Sequence, residues 1–388
     1  MFKVQTLNKI SPCGLRNLDP QNYTCSSEIE QPDAILVRSA SMHDMQLPDS
    51  VKAIARAGAG TNNIPVDACA EKGVVVFNTP GANANAVKEL VIAGLLLASR
   101  KIVPAIEWAK TLKGNGDEVG KMVEKGKGAF AGPEIQGKKL GVIGLGAIGI
   151  LVANAARALG MDVYGYDPFL SVDAAWRLDN GVHHIADVND IYTACDYITV
   201  HVPLTPETKD MINDQSIAQM KNGARILNFA RGGLVNSADV VAALASGKLA
   251  AYVTDFPSDD LIGVEGVIAI PHLGASTQES EDNCAVMAAR EIVDYLENGN
   301  ISNSVNMPNV SMPRSTDQRI CVIHRNVPNM LAQISAVVSA GGMNIDKMSN
   351  QSRKDYAYTI LDVSSKASDA AVADIEAIEG VIRVRTIG

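Results

Sequence analysis

A chain of 388 residues, 47% hydrophobic and 20% charged, exceeds what one core usually holds and is apolar enough to fill two or three. Its 34 basic residues against 43 acidic ones leave a net charge of −9, which argues against nucleic acid as a partner. Six dispersed cysteines without a CxxC pair, and a first few residues that soon turn polar, point to a reducing cytoplasm rather than an oxidising compartment or a membrane.

Short apolar runs at residues 34–37, 53–55 and 74–77 alternate with polar or helical stretches and predict a first α/β unit. Residues 90–98 read as a buried helix, too short to span a membrane. Residues 112–138, rich in glycine and lysine, read as a loose connection whose Lys125 and Lys127 are solvated charges. From residue 139 strands recur at 140–143, 161–165, 197–201, 224–228 and 267–269, separated by helix-length segments, which predicts a doubly wound parallel sheet. The capping box Ser276-Thr277-Gln278-Glu279 opens a long helix that stops near Asn298-Gly299-Asn300, a candidate hinge. A linker at 301–314, punctuated by Pro308 and Pro313, follows. The remainder reads strand 320–324, helix 328–340, strand 344–348, strand 356–363, helix 367–378 and strand 381–386, a βαββαβ ferredoxin-like order.

The clearest chemistry lies at Gly144-Leu145-Gly146-Ala147-Ile148-Gly149, between a buried strand and a helix. In a dinucleotide turn Gly144 permits the bend, Gly146 lets the backbone approach a pyrophosphate, and Gly149 allows close helix–strand packing. Ala147 and Ile148 offer no polar side chain, so backbone amides and the helix end must hold the phosphates. The next strand ends in Asp167, 18 residues beyond Gly149 (167 − 149), where a carboxylate would bind the adenosine ribose and repel a 2′-phosphate. NAD is therefore expected over NADP. Two further strand ends carry one functional side chain each amid glycines, Arg231 in Asn228-Phe229-Ala230-Arg231-Gly232-Gly233 and His272 in Pro271-His272-Leu273-Gly274. An arginine there can clamp a carboxylate and a histidine can shuttle a proton, which suggests hydroxy-acid redox chemistry. The pair His183-His184 matches no metal-ligand spacing and reads as surface, so no metal is expected.

These motifs, with Arg38-Ser39, Arg56 to Asn63 (RAGAGTNN), Asn78-Thr79-Pro80, Tyr166-Asp167-Pro168 and His201-Val202-Pro203-Leu204, run in the same order as in the D-isomer-specific 2-hydroxyacid dehydrogenases, which the chain resembles over nearly its whole length. The resemblance implies an α/β chain in which a Rossmann-like doubly wound parallel sheet (100–286) is inserted in a flavodoxin-like substrate domain (1–99 and 287–314). A C-terminal ferredoxin-like module of the ACT regulatory type (315–388) completes it. It implies that His272 takes the substrate's hydroxyl proton and Arg231 binds the carboxylate, with Asp260, or its neighbour Asp259, standing where the family pairs the histidine with a glutamate. Further cofactor contacts fall to His201, Val202, Pro203, Thr208, Phe229, Ala230, Asp255 and Gly274. Arg38, Ser39, Arg56, Gly58 and Asn83 would meet a phosphorylated substrate, 3-phospho-D-glycerate, whose oxidation begins L-serine synthesis. His324, Asn326 and Asn344 would bind L-serine as a feedback effector, in a homodimer or homotetramer. The competing expectations are another D-2-hydroxyacid dehydrogenase, or an NAD-sensing protein without catalysis.

Overall fold

The computed structural model describes residues 1–388 and divides them into two compact units, Met1–Asn83 with Gln278–Gly388, and Ala84–Thr277. Both crossings come earlier in the sequence than the 99/100 and 286/287 boundaries that the motifs suggest. The helix Ala84–Ser99 belongs to the second unit because it buries Val87, Val91, Leu95 and Ala98 in that unit's core. Gly94 makes the close approach possible, since a Cβ there would stand 2.9 Å from Phe229 Cε2.

In the first unit, β1 (Phe2–Leu7), β2 (Tyr23–Ser26), β3 (Ala34–Val37), β4 (Ala53–Arg56) and β5 (Val75–Phe77) form a parallel sheet in the order β2-β1-β3-β4-β5. β3 is buried throughout, as a central parallel strand covered on both faces requires. The long helix Gln278–Asn298 packs on β3 and β4 through Cys284, Ala285, Ala288, Ile292 and Tyr295. Residues 301–314 are not a loose linker: Ile301 and Val310 bridge, and Met307, Val310 and Met312 are core residues. Asn306, 8% exposed, serves β5 like an extra strand residue, accepting from Val76 N at 2.9 Å and donating to Val74 O at 2.9 Å.

The same unit carries a four-stranded antiparallel sheet built from β13 (Gln318–Arg325), β14 (Ile345–Arg353), β15 (Tyr356–Val363) and β16 (Val381–Ile387), in the order β14-β15-β13-β16. The helices Met330–Ala340 and Asp369–Glu376 cover one face, where Ile320, Val322 and Leu361 pack. The opposite face presents Cys321, Ile323, Tyr358 and Ile360 to the core that holds Tyr295, Leu296 and Ile301. The expected hinge is consequently locked. Gly299 (φ +71°) accepts from Tyr358 Oη at 2.6 Å, Asn298 O accepts from Arg319 Nη1 at 2.6 Å, and a Cβ on Gly299 would meet Cys321 Sγ at 2.4 Å.

In the second unit, β6 (Lys139–Ile143), β7 (Asp162–Tyr166), β8 (His183–His184), β9 (Tyr197–Val200), β10 (Ala224–Asn228), β11 (Leu249–Thr254) and β12 (Val267–Ala269) form a parallel sheet in the order β12-β11-β10-β9-β6-β7-β8. This is the doubly wound pattern, with its switch point between β6 and β9. The glycine-rich stretch 112–138 turns out to contain the helix Val119–Gly126 and short 3₁₀ turns. Glu–Lys pairs three residues apart, 118–121 and 124–127, support it. The bare flank of Gly126 admits Trp108, which stacks on Phe130 at 5.2 Å.

Candidate functional site

Ligands of open α/β sheets lie beyond the carboxyl ends of the strands at the switch point, here the turns after β6 and β9. Gly144 adopts φ +95°, and a Cβ on it would stand 2.8 Å from the backbone carbon of His201, so both turns meet at a residue that only glycine satisfies. Gly149 lies so close to β6 that a Cβ would be 1.9 Å from Gly144 O. Gly146, by contrast, faces open space, the cradle a pyrophosphate requires, at the start of the helix Ala147–Ala158. Ala147 and Ile148 are half-buried in the first turn of that helix.

Asp167 follows β7 and is braced from two sides: Oδ2 accepts from Leu145 N at 2.9 Å and Oδ1 from Phe169 N at 2.8 Å. Its carboxylate is thereby tied to the glycine turn. A cleft of about 420 Å³ lined by Tyr166, Asp167, Pro168, Leu170, His184 and Ile185 adjoins it, of the size and place for an adenosine. Asp167→Ala is expected to weaken NAD binding roughly 10- to 100-fold, the worth of hydrogen bonds to a charged group, and to narrow the NAD over NADP ratio of kcat/KM. An unchanged ratio would remove Asp167 from ribose recognition.

His201, Val202 and Pro203 follow β9. Burial pushes the His201 imidazole down to about 4, so it is neutral at physiological pH. Its Nε2 and Thr199 Oγ1 lie 2.9 Å apart, while Nδ1 is buried without a partner. Thr208 Oγ1 donates to Pro203 O at 2.6 Å and accepts from Thr205 N, so as folded it braces its own loop. Phe229 is 5% exposed and packed against Gly94, so its ring belongs to the core rather than to a ligand face. Asn228, a residue the motifs left unassigned, is buried at the end of β10 and shapes the loop around half-buried Ala230: Oδ1 accepts from Ala230 N and Arg231 N, and Nδ2 donates to Arg231 O at 2.8 Å. That leaves the Arg231 side chain exposed at the loop's tip, its Nη1 on Ala230 O at 2.7 Å.

Asp255, at the end of β11, is fully buried. Oδ2 accepts from Gly274 N at 3.0 Å, and Oδ1 has no partner. Burial raises its pKa above the usual carboxylate value, opposed by the Gly274 amide and by the charges of His272 and Arg231. Asp255, Arg231 and His272 thus share one electrostatic site. His272 is exposed and stacks on Phe256, ring centroids 4.8 Å apart. Asp259 and Asp260 do not join it: Asp260 accepts from Ser258 Oγ at 2.6 Å, and both side chains are exposed. The reason is local. The turn closed by Leu261 N and Ile262 N on Ser258 O inserts Leu261 into the core and leaves both acids exposed.

The partnerless Asp255 oxygen, the partnerless His201 nitrogen and the open face of Gly146 are what a bound dinucleotide would complete, so these residues fit NAD. Residues 92–274 match the D-isomer specific 2-hydroxyacid dehydrogenase NAD-binding domain. The chain is 33% identical over 340 residues to the D-3-phosphoglycerate dehydrogenase of Haemophilus influenzae, covering 84% of this chain and 79% of that one. It is 38% identical over 292 residues to the Methanocaldococcus jannaschii D-3-phosphoglycerate dehydrogenase, covering 73% of this chain and 53% of that one, so it spans about half the archaeal relative's length. A crystal structure of NAD+-bound 3-phosphoglycerate dehydrogenase from Entamoeba histolytica superposes with a TM-score of 0.59 at 25% identity, over 79% of this chain and 98% of that one. The chain belongs to the D-isomer-specific 2-hydroxyacid dehydrogenase family, and its second unit is an NAD-binding domain.

In the first unit, Arg38 follows β3 and forms an ion pair of 2.5 Å with Glu281 of the long helix, both side chains being about two-fifths exposed. Arg56 Nε donates to Arg38 O at 3.1 Å, and its guanidinium fills the space beside Gly58, where a Cβ would be 2.2 Å from Nη1. Ser39 N and Ala40 N donate to Asn8 Oδ1, at 3.2 and 2.6 Å, and Asn83 is half-buried. Glu281 lies in no motif, and nothing local marks it as the partner of a residue 243 positions away.

His324 is buried in β13, its Nδ1 2.8 Å from Arg325 O and its Nε2 2.9 Å from Thr359 Oγ1. Burial lowers its pKa. Asn326 Nδ2 donates to Lys354 O at 3.1 Å, whereas Asn344 precedes β14 and donates to Asp346 Oδ1 at 3.1 Å. The register pairs Arg325 with Tyr356 and Ile345 with Val363, at opposite ends of β15, so Asn344 stands roughly 20 to 25 Å along the sheet from the other two. His183 Nε2 meets Asp162 Oδ1 at 2.9 Å on the exposed edge strand β8. No helix is long and apolar enough to cross a membrane.

Proposed function

We propose that the chain oxidises 3-phospho-D-glycerate to 3-phosphohydroxypyruvate, the step that commits carbon to L-serine. The carrying observation is the fully buried Asp255 carboxylate, which is bound by the Gly274 amide and feels the charges of both His272 and Arg231; the names of the curated relatives supply the substrate. Arg231 binds the C1 carboxylate through parallel hydrogen bonds and polarises the C2 oxygen. His272 takes the C2 hydroxyl proton, and its stack on Phe256 holds the ring. Asp255 stabilises the imidazolium that forms; Asp260 or Asp259 joins His272 only if the 258–262 turn opens. NAD, held by the glycine turn and Asp167, supplies the acceptor for the C2 hydride. Following NADH formation with 3-phospho-D-glycerate, and NADH consumption with 3-phosphohydroxypyruvate, tests the assignment; inactivity on both would end it.

One observation favours a second reading, an unphosphorylated D-2-hydroxy acid: Arg38 is already paired with an acid. The pair is solvated and worth about 0–1 kcal/mol, so a phosphate displaces Glu281 at little cost. Arg38→Ala should raise KM for 3-phosphoglycerate by roughly 10- to 100-fold and leave D-glycerate or D-lactate nearly unaffected, while Glu281→Gln lowers KM for the phosphorylated acid. Equal losses on both substrates with Arg38→Ala would favour the second reading.

The C-terminal sheet is proposed as an ACT-type effector module for L-serine, with Asn326 of one copy and Asn344 of another at each site across exposed edge strands β14, and with His324, already engaged at both ring nitrogens, supporting the site from within the sheet. Ile102, Val103 and Ile106, 40 to 50% exposed on the helix Ile102–Thr111, offer a second self-association surface and support a homo-oligomer. Titrating activity with L-serine tests the effector role; flat rates up to millimolar serine would remove it.

A further inference from the structure

A groove of about 570 Å³ runs along the long helix in the first unit, and neither Arg38 nor Glu281 lines it. Its floor is the face of helix Gln278–Asn298 formed by Asn283, Val286, Met287, Arg290, Glu291 and Asp294, spaced three and four residues apart. Gly81 and Ala82 form one wall, and Asn300, Ser302 and Asn303 the other. Cys284, Ala288 and Ile292, on the opposite side of the same helix, belong to the core.

One group in this groove is unsatisfied. Glu291 is 8% exposed; its Oε1 accepts from Asn303 Nδ2 at 2.8 Å, and its Oε2 is buried with no partner. Neither protonation state cures this, since the carboxylate lacks a donor at Oε2 and the acid lacks an acceptor there. Burial raises its pKa to about 8, as a carboxyl without a counter-charge should behave. Asp294, one turn on, adds a second carboxylate already oriented, its Oδ1 accepting from Asn298 and Asn300 at 2.9 and 3.0 Å. Arg290 on the rim is anchored through its Nε on Asn17 Oδ1 at 3.2 Å, while its guanidinium lines the groove. Two acids facing an open cavity, one lacking a hydrogen-bond donor, call for a ligand that brings both a donor and a positive charge.

We propose that this groove binds a small molecule carrying a primary ammonium group, with the ammonium on Glu291 Oε2 and Asp294 and the ligand's carbon skeleton over Val286 and Met287. The site is independent of the hydroxy-acid assignment and of the C-terminal sheet. Plain amines and α-amino acids share this chemistry, and Arg290 separates them, because only an amino acid offers it a carboxylate.

Calorimetric titration of the full chain with ethanolamine and with glycine tests the site. Saturable millimolar binding of at least one probe is expected, weakened at least roughly tenfold by Glu291→Gln, which keeps the side chain's shape and removes its ability to ionise against an ammonium. Ser302→Trp, an exposed wall residue, should abolish it by filling the groove. Arg290→Gln should weaken glycine and spare ethanolamine. If neither probe saturates, or if Glu291→Gln and Ser302→Trp both bind as the parent chain does while melting at its temperature, the proposal fails.

Discussion

Replacing His272 with alanine is expected to lower kcat by about a hundred- to ten-thousand-fold, the usual worth of a positioned acid–base group, while the dissociation constant for NAD stays within about twofold. The expectation rests on three features. His272 is exposed and oriented by Phe256 rather than committed to a core hydrogen bond. It shares its electrostatic surroundings with the buried Asp255, whose carboxyl is influenced by the charges of His272 and Arg231. The groups proposed to hold the cofactor, the glycine turn and Asp167, make no hydrogen bond to it. Steady-state NADH formation and a direct NAD titration on the same protein separate the two quantities. Full turnover in the alanine variant would exclude His272 as the proton acceptor and throw the mechanism open. Asp260→Ala and Asp259→Ala, by contrast, should change kcat by less than about threefold, because both carboxylates are solvated and Asp260 is engaged by Ser258.

The second large effect concerns folding. Arg319 and Asp362 are both fully buried and form a forked pair, Nε to Oδ1 at 2.6 Å and Nη2 to Oδ2 at 3.1 Å. The remaining donors of Arg319 reach Asn298 O and Met312 O, and Asp362 Oδ2 also accepts from Ser315 N and Oγ. Removing one member leaves a buried charge without its partner, so Arg319→Met should destabilise the chain by about 3–5 kcal/mol. An Arg319→Met, Asp362→Leu double variant should recover much of the loss, as buried pairs exchanged for apolar groups generally do. Denaturant midpoints at constant slope measure both. A single-variant loss under about 1 kcal/mol would show the pair to be dispensable. Burial alone would raise the Asp362 carboxyl, but hydrogen bonds and charge from Arg319 hold it below its usual value. A carboxylate depressed in the folded state stabilises above its unfolded pKa of about 3.9. That contribution should persist through neutral pH and be lost as pH falls below roughly 4.

Local chemistry was readable in this chain wherever a residue type is dictated by its own backbone. Gly144, Gly146 and Gly149 announce a nucleotide turn because each meets a steric demand that no side chain satisfies, and Asp167 follows from the length of one β–α–β step. The failures are failures of distance. Nothing near Arg319 predicts Asp362, 43 residues on, and nothing near Arg38 predicts Glu281. Residues 301–314 look like a linker because their prolines and asparagines suit turns, yet Asn306 completes β5 across 230 residues of sequence. Residues 112–138 look irregular from their glycines, whereas Trp108 and Phe130 make use of the space those glycines leave. Asn228 could have been found, since a carboxamide closing an apolar strand before a glycine pair must hydrogen-bond to something. The outward turn of Asp259 and Asp260 could not, because it depends on where Leu261 finds its pocket.

The seal between the antiparallel sheet and the long helix bears on how this chain can be dissected. Arg385 reaches Tyr295 O and Leu296 O, Arg383 reaches Asp49 O, and the apolar face of β13 and β15 lies in the same core as Tyr295, Leu296 and Ile301. Cutting after residue 314 would not release an autonomous catalytic fragment. It would strip the floor from under Tyr295 and Ile301 and leave both pieces with raw hydrophobic surface, prone to aggregate. Loss of function in a truncated chain would therefore report damage to the substrate unit rather than the removal of a control, and the two can be told apart only by point changes that leave the seam closed.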